Sequence, residues 1–208
     1  MLNANGTRVT NEQNSSFIAT VAEKARKTTL NNKILLLQLP QTLFSSIDKK
    51  AVLNRASYAW PPIGLMCLQE RLKDSDYEVT IVDLNFILLN EIINNNSFNI
   101  RSWYKLADKY LNIYKPSIIG VSTISVSLNP DDKENHLTSF LNYLKCIGEH
   151  IVISGGVNAT EHRIYLLENE LTDFVITKEG EHKIKFLVDA LYGKSNNMEF
   201  PSGIFYNI

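Results

Sequence analysis

Five short apolar runs, each parted from the next by residues of helical period, limit this chain to very few folds. They are Lys33-Ile34-Leu35-Leu36-Leu37-Gln38-Leu39, Tyr77 to Asp83, Ser117 to Ser122, Ile151 to Ser154 and Asp173 to Thr177. Runs this short, rich in Ile, Val and Leu, suit strands buried on both faces of a parallel sheet. Strands alternating with helices give an α/β architecture with right-handed crossovers. The expected fold is a doubly wound, five-stranded parallel sheet in the order 2-1-3-4-5. In that order the winding reverses between strands 1 and 3, where the ligand crevice of such a sheet opens.

The intervening stretches carry their own signals. Pro61-Pro62 opens a helix whose register runs through Ile63, Met66, Cys67 and Glu70 to Leu72. Leu84 to Asn99 is mixed, with an Asn-Asn-Asn loop inside it, and Ser102 to Tyr114 reads as one amphipathic helix stopped by Lys115-Pro116. Further helices are expected at about Lys133–Ile147, Thr160–Glu170 and Gly180–Tyr192. Phe17, Ile18, Val21 and Ala25 are spaced for one face of a helix over Ser15–Lys27. Gly203 to Ile208 reads as a strand with no partner in sequence. These boundaries divide the chain into a polar leader (1–31), an α/β domain (32–193) and a linker strand (194–208).

Composition narrows the function. A formal net charge of −1 with interspersed signs gives no general electrostatic reason to bind nucleic acid or an anionic membrane. No apolar run approaches the ~20 residues that span a bilayer, and Met1 to Thr29 lacks the apolar core of a secretory signal, so a cytoplasmic protein is expected. Cys67 and Cys146 each fall on a helix face and read as small buried thiols. Two cysteines cannot hold a three-cysteine iron–sulfur cluster. His136, His150, His162 and His182 are unclustered and read as surface or capping residues. No catalytic constellation or metal-ligating set stands out.

Three loops border the expected crevice: Gln41–Trp60, Thr123–Asn129 and Gly155–Thr160. Gly155-Gly156 ends strand 4, where the missing Cβ atoms permit positive φ and close approach of another group. A plain strand-to-helix turn is the alternative. A dinucleotide site would place a glycine-rich turn straight after strand 1. This chain has Leu39-Pro40-Gln41-Thr42 there, and no glycine until Gly64. Asp83 stands where a ribose-binding acid would, but without those glycines. A phosphate-accepting receiver would end strand 3 in aspartate, whereas this strand ends in Ser122. The P-loop pattern is absent.

One family does match. Trp60-Pro61-Pro62-Ile63-Gly64-Leu65, then Val82-Asp83, then Lys115-Pro116-Ser117-Ile118-Ile119-Gly120-Val121-Ser122 follow one another in order. Gly155-Gly156-Val157-Asn158-Ala159-Thr160 and Asp173 to Glu181 complete the series. The ordered set, over about residues 33–206, resembles the amino-terminal, Rossmann-like cobalamin (vitamin B12)-binding domain of cobalamin-dependent radical S-adenosylmethionine enzymes. Ser122-Thr123-Ile124 is similar to that family's Ser-x-Leu element, and Ser154-Gly155-Gly156 to its Gly-Gly element. Two departures stand out. The Asp-x-His-x-x-Gly loop that gives cobalt a histidine in other cobalamin domains is missing, and the closing Gly-Glu-Gly-Glu reads Lys178-Glu179-Gly180-Glu181.

The resemblance implies that Ser122, Thr123, Ser125, Gly155, Gly156, Val157 and Thr160 line a channel for the nucleotide tail, with Glu179, Gly180 and Glu181 at its rim. It implies cobalamin held base-off without a protein imidazole. Asn54, Arg55, Tyr58 and Trp60 are candidates for the lower face of cobalt, Trp60 being equally a core residue. A 4Fe–4S cluster and S-adenosylmethionine would come only with a radical domain, whose Cys-x-x-x-Cys-x-x-Cys loop is absent from these residues. The chain is accordingly expected to be a fragment of a radical methyltransferase, not catalytic alone, with cobalamin and a radical domain as partners. The competing readings are a domain that kept the fold but lost the ligand, serving as a scaffold or partner-binding module, and a nucleotide-binding α/β domain.

Overall fold

The computed structural model describes residues 11–41, 50, 52, 61–73, 75–122, 135–194 and 201–207. Its strands are β1 (Lys33–Gln38), β2 (Glu78–Asp83), β3 (Ile118–Ser122), β4 (Ile151–Gly155), β5 (Phe174–Ile176) and β6 (Ile204–Tyr206). Its helices are α1 (Asn11–Lys27), α2 (Ile63–Lys73), α3 (Leu84–Asn94), α4 (Asp108–Tyr114), α5 (His136–Ile147), α6 (Val157–Glu161), α7 (Arg163–Glu168) and α8 (Glu181–Leu191), with a 3-10 segment over Ile100–Ala107. The strand order is β2-β1-β3-β4-β5-β6. The first five strands run parallel in the expected order, and the switch point falls between β1 and β3. The sheet has six strands rather than five: β6 pairs antiparallel with β5, so the carboxyl-terminal strand does find a partner.

Alternation along the strands divides the core into two layers. Leu35, Leu37, Ile119, Val121, Val152 and Val175 face the layer built from α3, the 3-10 segment, α4, α5 and α7. Ile34, Leu36, Ile118, Ile153, Phe174 and Ile176 face α1, α2 and α8. In the first layer the sheet contributes Leu, Ile and Val side chains with Ser154, and no glycine. The second is interrupted at Gly120 and Gly155, which share the face of Ile118 and Ile153.

Several helices differ from their sequence patterns. In α2 the buried residues are Leu65 and Leu72, so the helix is rotated away from the expected register, and Ile63 and Met66 stand exposed. Cys67, on the outer side of α2, and Cys146, in the last turn of α5, are exposed, not buried. Residues 84–94 form a full helix because Asp83 caps it, accepting from the Phe86 amide at 3.0 Å, while Leu84 and Leu88 bury. The helix ends at Asn94, and Asn95 and Asn96 lie in the loop that follows, as the asparagine run leads one to expect. The helix expected over Ser102–Tyr114 is split: Asn99 starts a 3-10 segment that kinks at Ser102 (φ −103°, ψ 18°) and drives Trp103 into the core. His136 is no surface histidine, since it is fully buried against Trp103.

Residues 11–27 are part of the packed structure. Phe17 and Val21 bury against the second layer, Phe17 lying 6.0 Å from the Phe186 ring and 5.2 Å from the Tyr206 ring. Lys24 bridges to Asp173 at 2.5 Å. Helix α8 is pinned from below, where the buried Asp189 accepts from Tyr77 at 2.9 Å and from Lys185 at 2.8 Å. Burial, reinforced by that carboxylate, pushes the Tyr77 phenol well above its ordinary pKa. Among the described residues no helix is long and apolar enough to cross a membrane.

Candidate functional site

A groove of about 210 Å³ opens at the carboxyl ends of β3, β4 and β5, between the sheet and helices α2 and α8. It exists because side chains are missing. Gly120 and Gly155 occupy inward positions on the sheet face, and the strand register sets Gly155 beside Ser122. A Cβ at Gly120 would stand 2.6 Å from Leu36 Cδ2, so the leucine side chain lies directly over that bare backbone. A Cβ at Gly155 would meet only the Ile176 carbonyl, at 3.6 Å, and would point into open groove. Leu65 and Leu68 of α2 form the opposite wall, Ile184 of α8 closes one side, and the exposed Gly64 leaves the α2 edge open.

The turn after β4 depends on Gly156, whose φ of 93° and ψ of 179° lie in a region only glycine enters readily. The turn launches α6 on the far side of the sheet. Thr160 donates its hydroxyl to the Gly156 carbonyl at 2.8 Å, and Val157 is exposed. Both residues lie outside the groove lining. Ser122, Gly155, Gly156, Glu179, Gly180 and Glu181 are brought together around it. Thr123, Ser125, Asn54, Arg55, Tyr58 and Trp60 lie outside the described residues. Asp83, weighed above as a ribose-binding acid, spends its carboxylate on capping α3; burial raises its pKa against the lowering effect of the backbone hydrogen bonds.

Sequence reasoning passed over Gly120, Leu36, Leu65, Leu68 and Ile184 as lining residues. A glycine in the middle of an otherwise β-branched strand was the available signal, because glycine inside a strand marks close approach of another group.

The rim carries mixed charge. Lys178 and Glu179 are exposed in the turn between β5 and α8, and Glu181 opens α8. Lys183, one turn into the helix, donates to the Thr177 carbonyl at 2.6 Å; burial lowers its pKa, and the charge of Lys178 lowers it further. Lys178 itself sits at φ 58°. A left-handed backbone costs a side-chain-bearing residue about 1–2 kcal/mol, of which glycine's greater freedom in the unfolded chain returns part. Lys178→Gly is therefore expected to stabilise the protein by about 0.5–1 kcal/mol, raising Tm by about 2 °C in thermal unfolding followed by circular dichroism. A fall in Tm would mean that the lysine side chain makes contacts worth more than the strain.

No protein-family profile matches the chain. No curated protein matches it either. Solved structures do. The radical S-adenosylmethionine methyltransferase TsrM from Kitasatospora setae, with cobalamin and a [4Fe-4S] cluster bound, superposes with a TM-score of 0.58 at 17% identity over 86% of this chain. The cobalamin-dependent S-adenosylmethionine radical enzyme OxsB, with aqua-cobalamin bound, gives a TM-score of 0.56 at 18% identity, again over 86% of this chain. The fold is shared with cobalamin-dependent radical S-adenosylmethionine enzymes. The chain spans 28% of the TsrM chain and 21% of the OxsB chain, so the likeness concerns one part of those enzymes.

Proposed function

We propose that this chain binds cobalamin and serves as the cobalamin-holding part of a radical S-adenosylmethionine methyltransferase. The observation that carries the reading is the groove itself. Gly155 leaves a channel open at the strand ends, where ligands of open α/β sheets bind, and Gly120 lets Leu36 lie down against the sheet beside it. A long, narrow arm such as the nucleotide tail of cobalamin suits a channel with walls of Leu36, Leu65 and Ile184, a floor of bare backbone, and the Ser122 hydroxyl at its mouth. Glu179 and Glu181 at the rim supply acceptors for the carboxamide N–H groups that surround the corrin. A tail held in the groove is a tail withdrawn from cobalt, which is the base-off state, and the stretch Gln41–Trp60 contains no histidine to replace it.

When bound, cobalamin would supply the methyl-carrying cobalt centre. The chain's own residues would sequester the tail, orient the corrin above the strand ends and keep water out of the channel. The test is retention of corrin. After incubation with hydroxocobalamin and desalting, the protein is expected to keep stoichiometric corrin with a base-off visible spectrum. Corrin retained with a base-on spectrum would remove the tail from the groove. No retained corrin would favour a fold that has lost its ligand and acts as a scaffold.

A further inference from the structure

The last residue of β1 carries an amide that the protein leaves unused. Gln38 is only 9% exposed, and its Nε2 is buried without a hydrogen-bond partner. A buried donor with no acceptor is costly, and native structures contain few. Ile34 and Leu36 belong to the layer facing α2 and α8, so alternation puts the side chain of Gln38 on the same sheet face. Its register partner is Ser122, which lines the groove, and Leu36, two residues earlier, lines it too. Gln38 does not itself line the groove; the register sets its buried amide beside the lining residues Leu36 and Ser122, at the switch point of the sheet. Sequence motifs gave no hint of it, because a glutamine ending a strand has no distinctive spacing.

We propose that Gln38 donates this hydrogen bond to the macrocyclic part of the bound cofactor, to a carboxamide carbonyl on the corrin periphery. The inference rests on the cobalamin reading and adds a residue to it. The height of Gln38 in the sheet argues for the macrocycle over the tail. Gly120, with Leu36 over it, lies deeper in the groove, two residue pairs below the level of Gln38 and Ser122. A ligand whose tail reaches that depth has its ring above the strand ends, beside Gln38. A neutral N–H donor also matches the neutral carbonyls of the corrin carboxamides.

The test separates a ligand-binding amide from a structural one by two readouts that should move in opposite directions. Gln38→Met keeps the length and loses the donor. Without ligand it is expected to raise Tm by about 2–4 °C, since an unsatisfied buried group is removed. Its Kd for hydroxocobalamin is expected to rise about tenfold, and its Kd for cobinamide, which keeps the corrin carboxamides and lacks the nucleotide, by a similar factor. Gln38→Leu should show the same pair of shifts and guards against a peculiarity of methionine. An unchanged Kd, or a lowered Tm in both variants, would overturn the proposal while leaving wild-type cobalamin binding intact. A loss confined to cobalamin would overturn the assignment to the macrocycle. A wild-type protein that binds neither corrinoid would overturn the cobalamin reading and this inference with it.

Discussion

Gly155→Trp is expected to abolish retention of hydroxocobalamin, with a loss of affinity of about a hundredfold or more, while thermal unfolding stays cooperative. The prediction rests on where that residue's first side-chain atom would go. A Cβ at Gly155 meets nothing closer than the Ile176 carbonyl at 3.6 Å, and the Gly155 backbone is not among those with positive φ. The indole would then extend into the groove of about 210 Å³ and pack on Leu36, Leu65 and Ile184. Filling an apolar groove with an apolar ring costs the fold little, whereas a ligand arm has no alternative channel.

The neighbouring glycines are poorer places for this test. A side chain at Gly120 would collide with Leu36 Cδ2, and one at Gly156 would strain a backbone at φ 93°. Either change would confuse lost binding with lost folding. Equilibrium dialysis against hydroxocobalamin, beside a thermal melt, reads both quantities at Gly155. Full retention by Gly155→Trp would mean that the tail does not run through this groove.

The sheet was legible in the sequence because buried parallel strands are written as short Ile, Val and Leu runs that little else produces. Lys33–Gln38 and Ile118–Ser122 lie within their expected spans, and the order of the first five strands is one of the two common doubly wound orders. The helices were less legible. Asp83 read as an isolated acid, and only the hydrogen bond from Phe86 N reveals it as the cap that turns 84–94 into a helix. Rotation of α2 toward Leu65 and Leu72 is a tertiary choice, since Ile63 and Met66 are equally apolar. The site was legible where glycines marked it, at Gly155, Gly156 and Gly180. Its walls were not, because Leu36, Leu65 and Ile184 look like any core residue until the sheet and two helices bring them together. Thr160, a polar residue of the same motif as Gly155 and Gly156, lies outside the groove lining and donates its hydroxyl to the Gly156 carbonyl.

Trp103→Ala should be the most damaging single truncation in the core, at about 3–5 kcal/mol, lowering Tm by about 10 °C or more. Trp103 is 1% exposed; its ring stacks 5.5 Å from that of Phe140 and meets the buried His136 ring edge-on at 5.7 Å. It joins the 3-10 segment to α5, and its removal leaves a large cavity among those side chains. A loss of this size is a large share of the ~5–15 kcal/mol that stabilises a typical domain. The layer it anchors lies across the sheet from the groove. Corrin affinity measured well below the lowered Tm should therefore stay within about threefold of wild type. Urea unfolding followed by circular dichroism, paired with that binding measurement, checks both halves. A stability loss below about 1 kcal/mol would show that the far layer repacks freely. Affinity falling in step with stability would show that the two faces of the sheet are coupled, so that the glycine-floored groove keeps its shape only while the opposite layer is intact.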